Sequence, residues 1–159
     1  MPEKLMIAEG LRHYELLLQR TGSAGLEFLN ARVPHRFTVV NHLRDGMLYI
    51  VSVFDKQGQV NAEDMKEIPL KDSFCQFVLR EGSMHSANTG ADHRFDGSPY
   101  QATLASYCGV PLKAADGVLF GTLCHFDYQS HVVSNEEFSF LQAAAQLLEK
   151  HFLAARSYA

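Results

Sequence analysis

Cysteine is scarce in this chain, and the few cysteines present are widely separated. The 159 residues contain three, Cys75, Cys108 and Cys124, and none belongs to a C-x-x-C pair. A disulfide framework needs an even set of cysteines, and persistent disulfides are rare where thiols are kept reduced. The cysteine content therefore favours a reducing compartment, and we expect the protein to be cytoplasmic.

Excess positive charge and long apolar runs are also missing. The formal net charge is −4, and the basic residues are scattered along the chain. Nucleic-acid and anionic-membrane binding both depend on a concentrated basic surface. No apolar run approaches the roughly 20 residues that cross a bilayer, and the first residues lack the basic and apolar regions of a signal peptide. We therefore expect neither nucleic acid nor a membrane among the partners.

What the chain does contain is typical of one globular domain. Apolar residues make up 47% and charged residues 20% of the sequence, a balance that argues against disorder. A chain of this length buries a substantial core without disulfide or metal staples. We interpret residues 1–159 as a single domain, with N-terminal helices over 1–33, a sheet with an inserted helix and loop over 36–127, and a C-terminal helix over 134–156.

Helices are predicted at both ends of the chain. Near the start, apolar residues recur at helical spacing, with a break at residues 21–23 that separates a long helix from a shorter one. Near the end, Ser134 and Glu137 match a capping box, and Val133 with Phe138 matches a hydrophobic staple. The apolar surface of this last helix is wider than one stripe. That width favours packing on the sheet and also on another helix, from this chain or from a second copy.

The middle of the chain is interpreted as strands joined by tight turns. Phe37–Leu43 and Met47–Phe54 flank the pair Asp45-Gly46. Ser106–Asp127 is interpreted as a second hairpin around Asp116-Gly117, because Asp-Gly supplies the positive φ that a two-residue turn requires. The last strand carries apolar residues at odd- and even-numbered positions alike, so both faces of the sheet must be covered. The order of elements predicts an α+β protein with a mainly antiparallel sheet.

A short helix and a polar loop lie between the two hairpins. Ser73-Phe74-Cys75-Gln76 matches an S-x-x-Q capping box, and Gly82 suits the end of the helix that follows. Residues 88–99 are rich in Asn, Thr, Gly, Asp, His and Ser. Binding residues concentrate on loops held by a rigid scaffold, so this loop is where we expect a site.

Four short motifs follow one another in the second half of the chain. They are D-S-F-C at residues 72–75, D-x-R-F at 92–95, Y-x-G-V-P-L at 107–112 and G-T-L-C-x-x-D at 121–127. Together with the final helix they resemble the GAF domain family, in particular its small stand-alone sensory subtype. The resemblance implies a central antiparallel sheet of about six strands. It places the terminal helices on one face, and the short helix and loops over a pocket on the other.

Family members often bind a small molecule in that pocket and dimerise through the terminal helices. The leading hypothesis is therefore a cytoplasmic sensory module that binds an unknown small molecule and orders its loop on binding. We expect the signal to pass through the terminal helices to a second copy in a homodimer or to a separate signalling protein. No cofactor is predicted.

The candidates for contact with that ligand lie on the short helix, the loop and the neighbouring strands. Asp92 and Arg94 either form an ion pair that pins the loop, or leave Arg94 to clamp an anionic ligand with its planar fork of donors. The other candidates offer hydroxyl, thiol or aromatic groups: Phe54, Phe74, Cys75, Phe77, Thr89, Tyr100, Thr103 and Tyr107. The phenylalanines among them also suit the core, which adjoins the pocket in this fold.

Two alternatives stay open. One is an interaction or dimerisation module whose pocket is filled by side chains. The other is a thiol-based free methionine sulfoxide reductase or redox sensor, because Cys75 lies in the first turn of a predicted helix, where the helix dipole favours a thiolate. The resemblance weakens this second alternative, since the catalytic cysteine that the reductase branch carries in the loop is missing here. We do not expect an enzyme.

The histidines do not predict a metal or chromophore site. Cys124 and His125 are adjacent on a strand, so they point to opposite faces and cannot serve one site together. None of the eight histidines shows ligand spacing such as H-x-x-x-H. We therefore expect hydrogen-bonded or surface histidines and no bound metal.

Overall fold

The computed structural model describes the backbone of residues 2–157 and the side chains of residues 7–152. Within that range the chain forms four α-helices and one sheet of six strands. The helices are α1 (Pro2–Arg20), α2 (Gly22–Ala31), α3 (Cys75–Glu81) and α4 (Asn135–Ser157). None of these described helices is long and apolar enough to cross a membrane.

The sheet is antiparallel throughout. Its strands are β1 (Phe37–Arg44), β2 (Met47–Asp55), β3 (Ile68–Pro69), β4 (Met84–Ser86), β5 (Ser106–Lys113) and β6 (Leu119–Asp127). They lie in the order β3-β2-β1-β6-β5-β4, so the two long hairpins meet at the centre and the two shortest strands form the edges. The predicted α+β fold with a central antiparallel sheet is confirmed.

Each face of the sheet carries its own core, because successive side chains of a strand point to opposite faces. On one face α1, α2 and α4 cover a cluster of buried residues that includes Val40 and Cys108. On the other face α3 and the loops cover a second cluster that includes Val39, Tyr107 and Cys124. The terminal helices and the short helix therefore lie on opposite sides of the sheet, as the resemblance implies.

The two Asp-Gly hairpin turns differ. Asp45 and Gly46 both have positive φ, 54° and 75°, which gives the expected two-residue turn between β1 and β2. In the β5–β6 loop Gly117 alone has positive φ, 85°, and the amide of Ala114 donates to the carbonyl of Val118 at 2.8 Å. The two-residue turn predicted there is wrong, because the loop is of the longer kind, in which a turn is followed by a single left-handed glycine.

A bulge in β2 decides which of its side chains face which core. Between Ile50 and Ser52 the register with β1 slips by one residue, so Val51 is extra. An extra residue reverses the alternation of a strand from that point onward. Ile50 therefore faces the α3 side, whereas Phe54, beyond the bulge, packs against the core under the terminal helices.

Asp55 redirects the chain at the end of β2. Its buried carboxylate accepts hydrogen bonds from three backbone amides of the next five residues at 2.9–3.0 Å, and from the guanidinium of Arg36 at 2.7 and 3.0 Å. The Arg36 hydrogen bonds, followed by those amides, hold the pKa of the Asp55 carboxyl well below its usual range. The segment that follows is thereby directed across the α3 side of the sheet, where Met65 packs against the second core.

Both predicted capping boxes form in part. The Ser134 hydroxyl accepts a hydrogen bond from the amide of Glu137 at 3.2 Å, but the Glu137 carboxylate pairs with Arg32 at 2.9 and 3.0 Å instead. Likewise the Ser73 hydroxyl accepts from the amide of Gln76 at 3.3 Å, while the Gln76 side chain donates to the Ser73 carbonyl at 2.9 Å. Each serine caps its helix, and each partner side chain is used for another contact.

Candidate functional site

A cavity of about 340 Å³ opens on the α3 side of the sheet. The sheet forms its floor, and residues 65–68, 73–75 and 100–104 form its walls and roof. This volume lies at the lower end of the range that small-molecule sites occupy. The cavity is therefore a candidate binding site for a compact ligand.

The residues that line the cavity separate into a buried floor, an apolar wall and an exposed mouth. The floor is formed by Val39, Asn41, Leu48, Tyr107, Cys124 and Phe126, all buried. The wall is mainly apolar and includes Ile50, Met65, Ile68, Phe74 and Leu104. Lys66, Thr103 and Tyr128 are exposed and mark the mouth. A ligand that entered here would lie mostly against apolar surface.

The structure brings together half of the sequence-predicted contact residues. Phe74 and Cys75 reach the cavity from the start of α3, and Tyr107 reaches it from β5. Tyr100 and Thr103 come from a tight turn in the roof, where the amide of Thr103 donates to the carbonyl of Tyr100 at 3.0 Å. These five side chains surround one space although they come from three separate segments.

Three of the remaining candidates lie outside the cavity. The bulge in β2 turns Phe54 toward the terminal helices. Phe77 packs edge-on against Phe95, with ring centroids 5.6 Å apart, in the core behind the cavity. Thr89 is buried and donates its hydroxyl to the carbonyl of Leu104. Thr89 therefore supports the roof from outside and does not face the cavity.

Asp92 and Arg94 also lie outside the cavity. Arg94 Nη2 is 2.7 Å from the Asp92 carboxylate and donates to the carbonyl of His85 at 2.9 Å. The Arg94 hydrogen bonds lower the pKa of Asp92 to about 2. Of the two interpretations offered by the sequence, the ion pair that pins the loop is the one that this geometry fits.

Most of the floor is not singled out by the sequence. Val39, Asn41, Leu48, Cys124 and Phe126 belong to strands whose apolar residues look like ordinary core. The one local signal is Asn41, whose amide side chain comes two positions after Val39 and so lies on the same face of β1. A buried amide needs polar partners, so its presence in a central strand marks a place where polar groups meet.

Asn41 is the centre of a small polar cluster on the cavity floor. Its amide nitrogen donates to Thr122 Oγ1 at 3.0 Å and lies 3.5 Å from Cys75 Sγ and 3.7 Å from Cys124 Sγ. The Cys75 sulfur also contacts Thr122 Oγ1 at 3.2 Å and the hydroxyl of Tyr107 at 3.5 Å. All five side chains are buried, so their mutual contacts replace the water that each would otherwise bind.

This cluster gives the cysteines different acidities. The neighbouring Cys124 thiol, followed by hydrogen bonds with Thr122, Tyr107 and Asn41, lowers the pKa of Cys75, although burial opposes the shift. The contact with Cys75 and burial together raise the pKa of Cys124 well above its usual value. Burial alone raises the pKa of Cys108, on the opposite face, to about 12. Cys75 is therefore the thiol that this environment activates most.

Two histidines, His35 and His125, lie on the side of the sheet that the terminal helices cover. His125 Nδ1 is 2.7 Å from Thr38 Oγ1, and its ring stacks on that of His35 with centroids 6.0 Å apart. Neither ring nitrogen of His35 has a hydrogen-bond partner among the residues described. Cys124 and His125 thus point to opposite faces, as predicted. Over the same part of the chain, no three His, Cys, Asp or Glu side chains are arranged to hold a metal.

An antiparallel sheet with terminal helices on one face and a loop-roofed cavity on the other is the architecture of a class of small α+β sensory domains. The sequence profile of one such family, described as "GAF domain", matches residues 15–152. The chain belongs to the GAF domain family.

Proteins of different overall function are similar to part of this sequence or have the same fold. The chain is 34% identical over 86 residues to a cyclic di-GMP phosphodiesterase of Pseudomonas aeruginosa, and the match spans 49% of this chain but 15% of that protein. The structure is similar to the GAF domain of a phosphoenolpyruvate-protein phosphotransferase from Acinetobacter, with a TM-score of 0.76, 16% identity, and coverage of 97% and 96% of the two chains.

A reductase also shares the fold. The free methionine-R-sulfoxide reductase of Neisseria meningitidis, determined with its substrate, matches with a TM-score of 0.74 and 20% identity over 96% of this chain and 92% of that one. At these identities the two structural matches show a common fold and nothing further about this chain.

Proposed function

We propose that this GAF domain is a sensory module that binds a small molecule in the cavity above β1, β2, β5 and β6. The observation that carries the proposal is the cavity of about 340 Å³, which is roofed by a short turn and lined mostly by apolar side chains. Such concave apolar surfaces with a few polar groups are the usual form of small-molecule sites. A pocket filled by side chains does not fit this volume.

The roof turn offers a way for a ligand to change the structure. Gln101 donates to the carbonyl of Thr89 at 3.1 Å, and the Thr89 hydroxyl bonds to Leu104, so a few hydrogen bonds hold the turn in place. A ligand that touches Tyr100, Thr103 and Leu104 favours the closed arrangement through these added contacts. We expect the turn to become more ordered when the cavity is occupied.

The sheet connects the cavity to the terminal helices. In β6, Cys124 lies on the cavity floor, whereas Leu123 belongs to the core under α1, α2 and α4. A movement of this strand therefore reaches both faces at once. In the proposal, the change passes through the terminal helices to a second copy in a homodimer or to a separate signalling protein. The three thiols, free in the structure, suit a reducing cytoplasm.

Ligand binding is tested by blocking the cavity. Ile50→Trp fills it from the β2 side, and Val51→Trp, at the exposed bulge next to it, is the matched control. Native mass spectrometry and thermal shifts across a metabolite panel should detect a ligand with the parent and with Val51→Trp, but not with Ile50→Trp. Equal binding by both variants would place the ligand elsewhere and reject the cavity as the site.

Dimerisation is tested on the outer surface of α1. Leu16 is 57% exposed there, and Leu16→Glu should weaken a dimer formed through the terminal helices. Val118→Glu is the control, because Val118 is 60% exposed but lies beside the β5–β6 loop. Sedimentation velocity at micromolar concentration measures the subunit count. A monomeric parent, or a dimer that only Val118→Glu disrupts, contradicts assembly through the terminal helices.

A thiol-based free methionine sulfoxide reductase is the second candidate, favoured by the acidic Cys75 in the cavity. The sulfoxide oxygen would leave as water, while Cys75 and Cys124 would give up two electrons and two protons and form a disulfide. The lining offers no pair of opposite charges for the ammonium and carboxylate of an amino acid, since Lys66 is its one charged side chain. Turnover that Cys75→Ser abolishes and Cys108→Ser retains would establish this candidate, and a parent without turnover rejects it.

A further inference from the structure

The cavity wall carries no buried charge. Its buried side chains are apolar or neutral, as in Val39, Leu48 and Phe126, and the ionisable Cys75 is held by neutral hydrogen-bond partners. Moving an ionised group from water into such surroundings is strongly unfavourable unless an opposite charge meets it. A ligand that lies against this surface is therefore uncharged along the part that it buries.

The mouth does not supply the missing charge. Lys66 is exposed, and three acidic residues, Glu63, Asp64 and Glu67, lie within three positions of it in the sequence. Exposed charges of this kind are screened by water and salt. Neither an anionic nor a cationic ligand gains a defined partner at the mouth.

One polar group on the floor keeps an unused hydrogen-bonding end. The Asn41 amide nitrogen is occupied by Thr122 and approached by the sulfurs of Cys75 and Cys124. Its amide oxygen accepts no hydrogen bond from the described residues and is not among their fully buried unpartnered atoms, so it keeps some surface that is open to the cavity. When a ligand fills the cavity, this oxygen loses the water in front of it, and a ligand group that donates a hydrogen bond replaces that water.

We propose that the cavity binds an uncharged, largely apolar molecule with a single hydroxyl group, which hydrogen-bonds to the Asn41 side chain on the floor. This inference rests on the proposed function and adds the chemical class of the ligand. The apolar part lies along Ile50, Ile68 and Phe126, and the roof turn closes over it. A hydroxyl suits Asn41 in either orientation of its amide, because it both donates and accepts.

Three probes with one common body test the class. They are para-butylphenol, butylbenzene and para-butylbenzoate, titrated by isothermal calorimetry into the full chain. We expect the phenol to bind most tightly, the hydrocarbon about fivefold more weakly through loss of one hydrogen bond, and the benzoate at least about tenfold more weakly because its charge must be desolvated. Benzoate binding as tight as that of the phenol overturns the inference.

Two asparagine variants locate the hydroxyl. Asn41→Leu should keep butylbenzene binding and remove the advantage of the phenol, while Asn88→Leu, at an exposed asparagine outside the cavity, should preserve it. If Asn41→Leu does not fold, the affinities of the parent for the phenol and the hydrocarbon decide by themselves whether the hydroxyl contributes to binding. Equal affinity of the parent for phenol and hydrocarbon overturns the role of Asn41 but leaves the cavity as a binding site. Absence of binding by all three probes overturns the ligand class, and the metabolite panel with Ile50→Trp and Val51→Trp then decides the proposed function separately.

Discussion

The ring of Tyr107 lies directly over Gly109, two residues further along β5. A Cβ atom built on Gly109 would overlap the Tyr107 hydroxyl and come within 2.7 Å of two ring carbons. The absence of a side chain at Gly109 thus allows Tyr107 to lie along the strand and reach the Cys75 sulfur at 3.5 Å. Both residues belong to the Y-x-G-V-P-L motif, so this motif has a defined structural role on the cavity floor.

Gly109→Ala should displace the Tyr107 ring and destabilise the domain by about 2 kcal/mol, the usual cost of overpacking a filled core. Urea unfolding measures the change. Gly90→Ala is the control, because the nearest atom to a Cβ there is 3.7 Å away, an ordinary contact, and its effect should stay within about 0.5 kcal/mol. Equal stability of the two variants would show that Tyr107 does not depend on Gly109.

Cys75 should be the first thiol to react with a small alkylating reagent. Its hydrogen bonds lower the pKa of Cys75, which lines the cavity, whereas burial raises the pKa of Cys108, in the core under the terminal helices, to about 12. We expect methyl methanethiosulfonate to modify Cys75 at least about tenfold faster than Cys108, as followed by peptide mass spectrometry. Cys75→Ser should remove the fast phase and Cys108→Ser should keep it. Simultaneous modification of all three would indicate reaction through global unfolding.

The stability of the domain should fall between pH 7 and pH 5. Burial, followed by the neighbouring charge of His131, lowers the pKa of His35 to about 4, and burial lowers that of His125 to about 3. Both values lie below the unfolded value of about 6.5. The unfolded chain therefore binds more protons in this range, and each imidazole removes about 2 kcal/mol from the free energy of unfolding on going from pH 7 to pH 5.

The variants His35→Leu and His93→Leu test this pH dependence. In His35→Leu the free energy of unfolding should fall only about half as much between pH 7 and pH 5. Its stability at pH 7 should be kept, since the His35 ring nitrogens have no partner among the described residues. His93 is exposed, with 95% of its side chain accessible, so in His93→Leu the free energy of unfolding should fall between pH 7 and pH 5 by as much as in the parent. Urea unfolding at the two pH values gives the comparison. A parent whose stability is constant between them would rule out both buried imidazoles as the cause.

Arg32 should stabilise the domain in a way that lysine cannot reproduce. Its guanidinium forms a forked ion pair with Glu137 and lies 3.7 Å from the ring centroid of Phe140, so it joins the end of α2 to the start of α4. Arg32→Lys loses the fork and the planar stacking, and we expect a loss of about 1 kcal/mol in urea unfolding. Arg80→Lys is the control, because the pair Arg80–Glu81 is exposed, and its effect should stay below about 0.5 kcal/mol. A larger loss of stability in Arg80→Lys than in Arg32→Lys would contradict the special role of Arg32.

The secondary structure could be predicted because its signals are local. The serine caps at Ser73 and Ser134 and the left-handed turn at Asp45-Gly46 each depend on a few neighbouring residues, and the structure contains all of them. Three of the five predicted site residues that line the cavity, Phe74, Cys75 and Tyr107, lie within short motifs for a similar reason.

The rest of the site depends on pairing between distant residues. The extra residue at Val51 is visible only when β2 is aligned with β1, and it moves Phe54 to the other face. The partner of Glu137 is Arg32, 105 residues earlier, so a local capping pattern cannot reveal it. Likewise the meeting of Asn41 with Thr122 requires the β1–β6 register, which composition and periodicity leave undetermined.

The sheet ends in two very short strands, and this limits how molecules of this kind can associate. β3 has two residues, one of them Pro69, and β4 has three, so these two strands themselves offer few free backbone groups to another strand. Short edges and edge prolines are among the ways in which proteins prevent strand-by-strand growth into aggregates. Growth of the sheet by addition of a strand to β3 or β4 is therefore disfavoured, so contacts between copies at these two strands are left to side chains.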